Sequence, residues 1–78
     1  MVSRDDLMPW VLEALRENGG SASVVEVCRH IWNHHESELR AAGDLFYTWQ
    51  YDVRWAATKL RHRGKLLETA RGAPWVMV

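Results

Sequence analysis

The sequence is short of almost everything that would tie it to a membrane, an oxidising compartment or covalent catalysis. No apolar run approaches the ~20 residues needed to cross a bilayer. The opening Met1-Val2-Ser3-Arg4-Asp5-Asp6 lacks a signal peptide's apolar stretch. The expectation is a cytoplasmic protein with no membrane partner. A single cysteine, Cys28, excludes an internal disulfide and agrees with a reducing compartment. With two prolines and five glycines there is no interdomain linker or low-complexity tract, and no internal repeat is visible. Net charge is also missing, at a formal value of zero, whereas most nucleic-acid-binding domains are basic.

What is present is an ordinary globular composition, 47% hydrophobic and 26% charged, with five tryptophans. Seventy-eight residues suffice for one domain, 1–78, which buries roughly 60% of its unfolded surface around one core. The zero charge hides a polarised chain. Up to residue 53, four arginines stand against nine carboxylates; from residue 54 onward Arg54, Lys59, Arg61, Arg63, Lys65 and Arg71 meet only Glu68. The second part is where a phosphate-bearing partner is to be sought.

Apolar periodicity orders the chain. Leu7, Val11 and Leu15, with Leu12 beside them, share one face of a first helix. Pro9 is tolerated in its first turn, and Asn18-Gly19-Gly20 ends it. Ser21-Ala22 is a short extended link. Ser23-Val24-Val25-Glu26 is a capping box that starts a second helix. Its core face is Val24, Val27, Cys28 and Ile31, with Trp32 alongside, and it frays near Asn33-His34-His35. Glu36 to Ala42 reads as a separate short helix before Gly43. A third main helix, 48–63, carries Trp49, Val53, Ala56, Ala57 and Leu60 on one face, and Gly64 closes it. The period then changes: Lys65 to Ala70 and Trp75 to Val78 are two strands of a β-hairpin around Arg71-Gly72-Ala73-Pro74.

Three main helices, a short extra one and a two- to three-stranded antiparallel sheet in this order make a mainly α fold with a small wing, a winged helix-turn-helix. From about Leu7 to Val76 the chain also resembles the N-terminal winged-helix domain of Mrr-type restriction endonucleases. The likeness rests on Pro9-Trp10-Val11-Leu12-Glu13-Ala14-Leu15, the Gly19-Gly20-Ser21-Ala22 link, Val53-Arg54-Trp55-Ala56 with Leu60, Gly64-Lys65-Leu66-Leu67, and Arg71-Gly72 with Trp75. It implies double-stranded DNA binding by a module that presents DNA to a separate nuclease domain. The chain is then a recognition domain detached from such an enzyme, a stand-alone adaptor or a small transcriptional regulator. It further implies that Trp55 packs under the wing, near Trp75 or Trp10.

Read as a helical wheel, the third helix buries Trp49, Val53, Ala56 and Leu60 and turns Tyr51, Arg54, Trp55, Thr58, Arg61 and His62 outward. Arginine pairs bidentately with guanine or phosphate, and a hydroxyl reaches base edges or backbone. Arg54 and Thr58 are therefore expected nearest the bases, with Gln50 and Tyr51 at the groove entry. Arg61, Lys65 and Arg71 are expected to hold phosphates, Arg71 from the wing at 70–74, with His62 on the same face. Asp52 is assigned to the positive end of the helix. The alternative, from another class, is a docking or dimerisation module without DNA binding, which neutral charge and many aromatics would suit.

No enzyme, metal or cofactor is expected. His30 and His34 are spaced to share a helical face, with Cys28 and His35 close by, but paired cysteines and an intervening glutamate are lacking. They are read as surface histidines at a helix end, and Cys28 as an apolar filler rather than a nucleophile. Glu68 with Lys65 is too little for a metal-dependent nuclease, and Gly19-Gly20 follows a helix instead of opening one.

Overall fold

The four-residue recurrence of apolar side chains winds the first third of the chain into α1 (Leu7–Glu17), behind a 3-10 turn at Arg4–Asp6. This is a computed structural model, and it describes residues 2–78. Leu7, Val11, Ala14 and Leu15 are wholly buried along one stripe of α1. The helix ends where Gly20 N–H reaches back to the Leu15 carbonyl at 2.7 Å. Gly19 and Gly20 carry φ of 74° and 98° there, values that a residue with a Cβ adopts only under strain.

Ser23 opens α2 (Val24–Arg40) as the sequence implies. Its Oγ accepts from the Glu26 N–H at 3.2 Å, while its own N–H donates to Glu26 Oε1 at 2.9 Å. The break expected near Asn33-His34-His35 is a kink at His35, whose φ of −132° and ψ of 22° are not helical, so Glu36 to Arg40 forms a short helical segment of its own at the end of α2. Two contacts keep the chain helical beyond the kink: Leu39 is completely buried, and Arg40 Nε bonds Glu36 Oε2 at 2.8 Å. The last helix, α3 (Leu45–His62), begins three residues earlier than periodicity suggested. The cause is Leu45, which is itself buried and extends the inward face of Trp49, Val53, Ala56, Ala57 and Leu60 by one turn.

Two strands complete the fold. β1 (Ser21–Ala22) pairs antiparallel with β2 (Trp75–Val76), Ser21 opposite Val76 and Ala22 opposite Trp75. The expected hairpin is shorter than its sequence. Leu66 forms a lone antiparallel bridge with Met77, supported by Leu67 N–H to the Val76 carbonyl at 2.9 Å and Val78 N–H to that of Lys65 at 3.1 Å. Continuing that pairing would set Thr69 against Pro74, which has no N–H to donate. The ladder stops, and the chain turns through Gly72 at φ 84°.

The molecule is mainly helical, three helices and a two-stranded antiparallel sheet around one cluster of buried side chains. Among the described residues no polar or charged residue is buried, so the core depends on apolar packing alone. Leu15→Ala, in the middle of the cluster, should cost about 3 kcal/mol through lost transfer energy and the cavity left behind, measured by urea unfolding. Glu26 gives a pH signature. The Ser23 N–H and hydroxyl hold its carboxyl below the ordinary 4.5. A depressed folded value means stability that is complete above 4.5 and lost as the pH falls through the lowered one. Glu26→Gln should therefore lose less stability than the parent when acidified from about pH 5 to about pH 3.

Candidate nucleic-acid interface

Because α3 gives one side to the core, its opposite side is free, and most of the basic residues after position 53 lie on or near it. Arg54 and Thr58 are exposed on this side, and Arg61 is half-buried. The segment after the sheet bridge folds back beside them. Arg54, Thr58 and Arg61 from α3 and Arg71 from the turn all line one cleft of about 290 Å³, with Glu68, Thr69 and Trp75. Four of the eight residues expected to contact DNA thus converge, and two of its buried polar atoms, Arg61 Nε and Thr69 Oγ1, have no hydrogen-bond partner. Among the described residues, every ion pair lies elsewhere: Glu13 and Glu38 with histidines, and Glu36 with Arg40. The guanidiniums of Arg54, Arg61 and Arg71 are therefore not neutralised by a paired carboxylate, although Glu68 sits in the cleft wall.

The other expected residues are placed differently. Gln50 and Arg54 border a second, larger groove of about 610 Å³ between α2 and α3, with Arg29 at its edge and Cys28, Trp32, Phe46 and Trp49 along its apolar side. Tyr51 is 78% exposed on the outer side of α3 and lines neither depression. His62 and Lys65 are exposed past the cleft, at the C-terminal end of α3. The Thr58 hydroxyl donates to the Arg54 carbonyl at 3.1 Å, so it faces a partner as an acceptor rather than as a donor.

Three expectations are corrected. Trp55 packs against the N-terminal 3-10 turn and not under the wing: the Arg4 guanidinium lies 4.1 Å from its ring centre and Lys59 Nζ 5.8 Å. Position 55 falls a third of a turn away from the cleft side, toward Arg4–Asp6. Asp52 does not serve the helix N-terminus, since α3 starts at Leu45 and puts it beyond the first turn; it accepts a hydrogen bond from Thr48 Oγ1 at 2.8 Å. Cys28 is at the rim of the α2–α3 groove and only partly buried, rather than within the core.

Two lining residues escaped sequence reasoning. Arg29 sits on α2, outside the basic part of the chain, and Thr69 comes into the cleft only because the ladder ends before it. Tyr47, 83% exposed one turn before Tyr51, continues the same outer surface and could have been found by extending the wheel one turn backwards. No helix among the described residues is long and apolar enough to cross a membrane. Compared with protein-family models, with curated proteins and with solved structures, the chain matches none.

Burial pushes the Cys28 thiol up, and the Arg54 guanidinium only partly offsets this. The thiolate is the reactive form, so the native thiol should be slow. At pH 8 a disulfide reagent is expected to label Cys28 at least about tenfold more slowly in the native protein than in urea. Equal rates would mean that the groove does not shield it.

Proposed function

We propose that the chain is a winged-helix module that binds double-stranded DNA, with α3 toward the major groove and the Arg71 turn as the wing against a neighbouring phosphate. Within that class we read it as a module of the kind found at the N-terminus of Mrr-type restriction endonucleases, where DNA capture and cleavage belong to different domains. The order of elements supports the class. The Ser21–Ala22 strand pairs with the last strand, which also bridges to the segment leaving α3. This is the strand arrangement of a three-stranded wing sheet in reduced form.

One observation carries the reading: three arginines from two different elements surround one cleft, and no carboxylate is ion-paired to any of them. A small domain that holds three guanidiniums together with none of them ion-paired among the described residues, and Glu68 as the one carboxylate in the cleft wall, suits an anionic partner, and arginine forks fit phosphate oxygens in two-point contacts. The orphaned Arg61 Nε and Thr69 Oγ1 supply further donors, such as a phosphate would satisfy. Arg54, shared by the cleft and the α2–α3 groove, is the residue placed to reach from backbone to base edge. Gln50 and Tyr51 are its neighbours toward the start of α3, and His62 and Lys65 extend the cationic side beyond its end.

The test is fluorescence anisotropy of a labelled duplex at several salt concentrations. With three or four phosphates neutralised, the logarithm of the affinity should fall with the logarithm of salt at a slope of about −3. Arg71→Ala should make that slope shallower by about one and weaken all sequences alike. Arg54→Ala with Arg61→Ala, on an intact fold, should abolish binding. Salt-insensitive self-association with no duplex binding would instead support the docking or dimerisation module.

A further inference from the structure

Three of the four histidines gather at one place between α1 and α2, away from the basic cleft. We propose that Glu13, His30 and His34 form a zinc-class metal site, with His35 as an adjoining donor, which clips α1 to α2. Each of the three residues can offer one ligand atom such that all of these atoms lie within 4.8 Å of one another. Tetrahedral zinc with bonds of about 2.0–2.1 Å separates its donors by about 3.3 Å. Glu13 Oε1 and His30 Nε2 are already 3.0 Å apart. His34 lies one turn further along the same face, its ring centre 4.1 Å from that of His30. Side-chain rotation alone can close the remaining distance.

His35 adds an independent observation. Its Nδ1 lies 2.9 Å from Glu38 Oε1, so the N–H there donates to that carboxylate. Its Nε2 is buried and without a hydrogen-bond partner, 3.4 Å from Glu13 Oε1. A metal ion bound beside Glu13 would give that unpartnered nitrogen a partner. A carboxylate that orients an imidazole whose other nitrogen meets a metal is the usual arrangement behind metal-binding histidines. Trp10, stacked on the His35 ring at 3.9 Å, fixes the plane of that imidazole. Nitrogen-rich donors with one carboxylate and no thiolate suit zinc and its first-row neighbours, and not magnesium or calcium.

The ligands come from two helices, so a bound metal would act as a cross-link in a domain whose single core is small. None of the three residues lines the cleft or groove of the proposed DNA surface, and the inference stands whether or not the chain binds DNA. The experiment uses the whole chain, treated with chelator and then titrated with zinc chloride by calorimetry, and with cobalt(II) by visible absorption. One equivalent should bind, cobalt should show the intense bands of a low-symmetry, four-coordinate ion, and free zinc at a hundred times Kd should raise Tm by about 15 °C. His34→Ala, at an exposed position, should leave the metal-free Tm unchanged and weaken binding by at least about tenfold, as should Glu13→Gln. His62→Ala, outside the cluster, should leave the zinc affinity unchanged. Absence of saturable binding, or an unchanged affinity in His34→Ala or Glu13→Gln, would overturn the assignment.

Discussion

The rest of the molecule depends on how α3 packs: one side has to be apolar and small enough to lie close on α1. Val53, Ala56 and Ala57 on that side are completely buried, opposite a stripe of α1 that is also fully buried at Leu7, Val11, Ala14 and Leu15. Alanines let the backbones approach, while Trp49 on the same helix stacks on Trp32 of α2, their ring centres 6.1 Å apart. A helix that spends one side this way has a single remaining direction for its cations. Arg54, Thr58 and Arg61 point outward together because Val53, Ala56, Ala57 and Leu60 point inward.

The same geometry separates two chemistries on one small chain. On the outer side of α3 the unpaired groups are arginines, none ion-paired to a carboxylate among the described residues and with orphaned donors nearby, an arrangement suited to an anion. Between α1 and α2 one imidazole nitrogen, His35 Nε2, lacks a hydrogen-bond partner beside the Glu13 carboxylate, an arrangement suited to a cation. Neither place lies in the core, which holds no polar or charged residue among those described. Stability and recognition are carried by different sets of side chains. Surface substitutions in either cluster therefore disturb binding more than folding.

Much of the architecture was legible in the sequence because local rules and tertiary packing agree there. The Ser23–Glu26 cap, the glycine ends of α1 and α3, and the inward sides of all three helices are each encoded within one or two turns. The failures occurred where a distant contact overrode a local pattern. Lys65 to Ala70 reads as a full strand, yet Pro74, brought opposite Thr69 by the pairing, cannot continue the ladder. Trp55 lies on the exposed side of the wheel and is covered by Arg4, from the other end of the chain.

By itself the sequence determined which segments are helical, which faces are buried, and that positive charge collects after residue 53, because periodicity, caps and composition act over a few residues. Only the tertiary structure decided that Arg71 and Thr69 join Arg54 and Arg61 around one cleft, and that Glu13 meets His30 and His34. Those groups are 8 to 21 positions apart, and their meeting is set by how helices and strands pack, which no local pattern records.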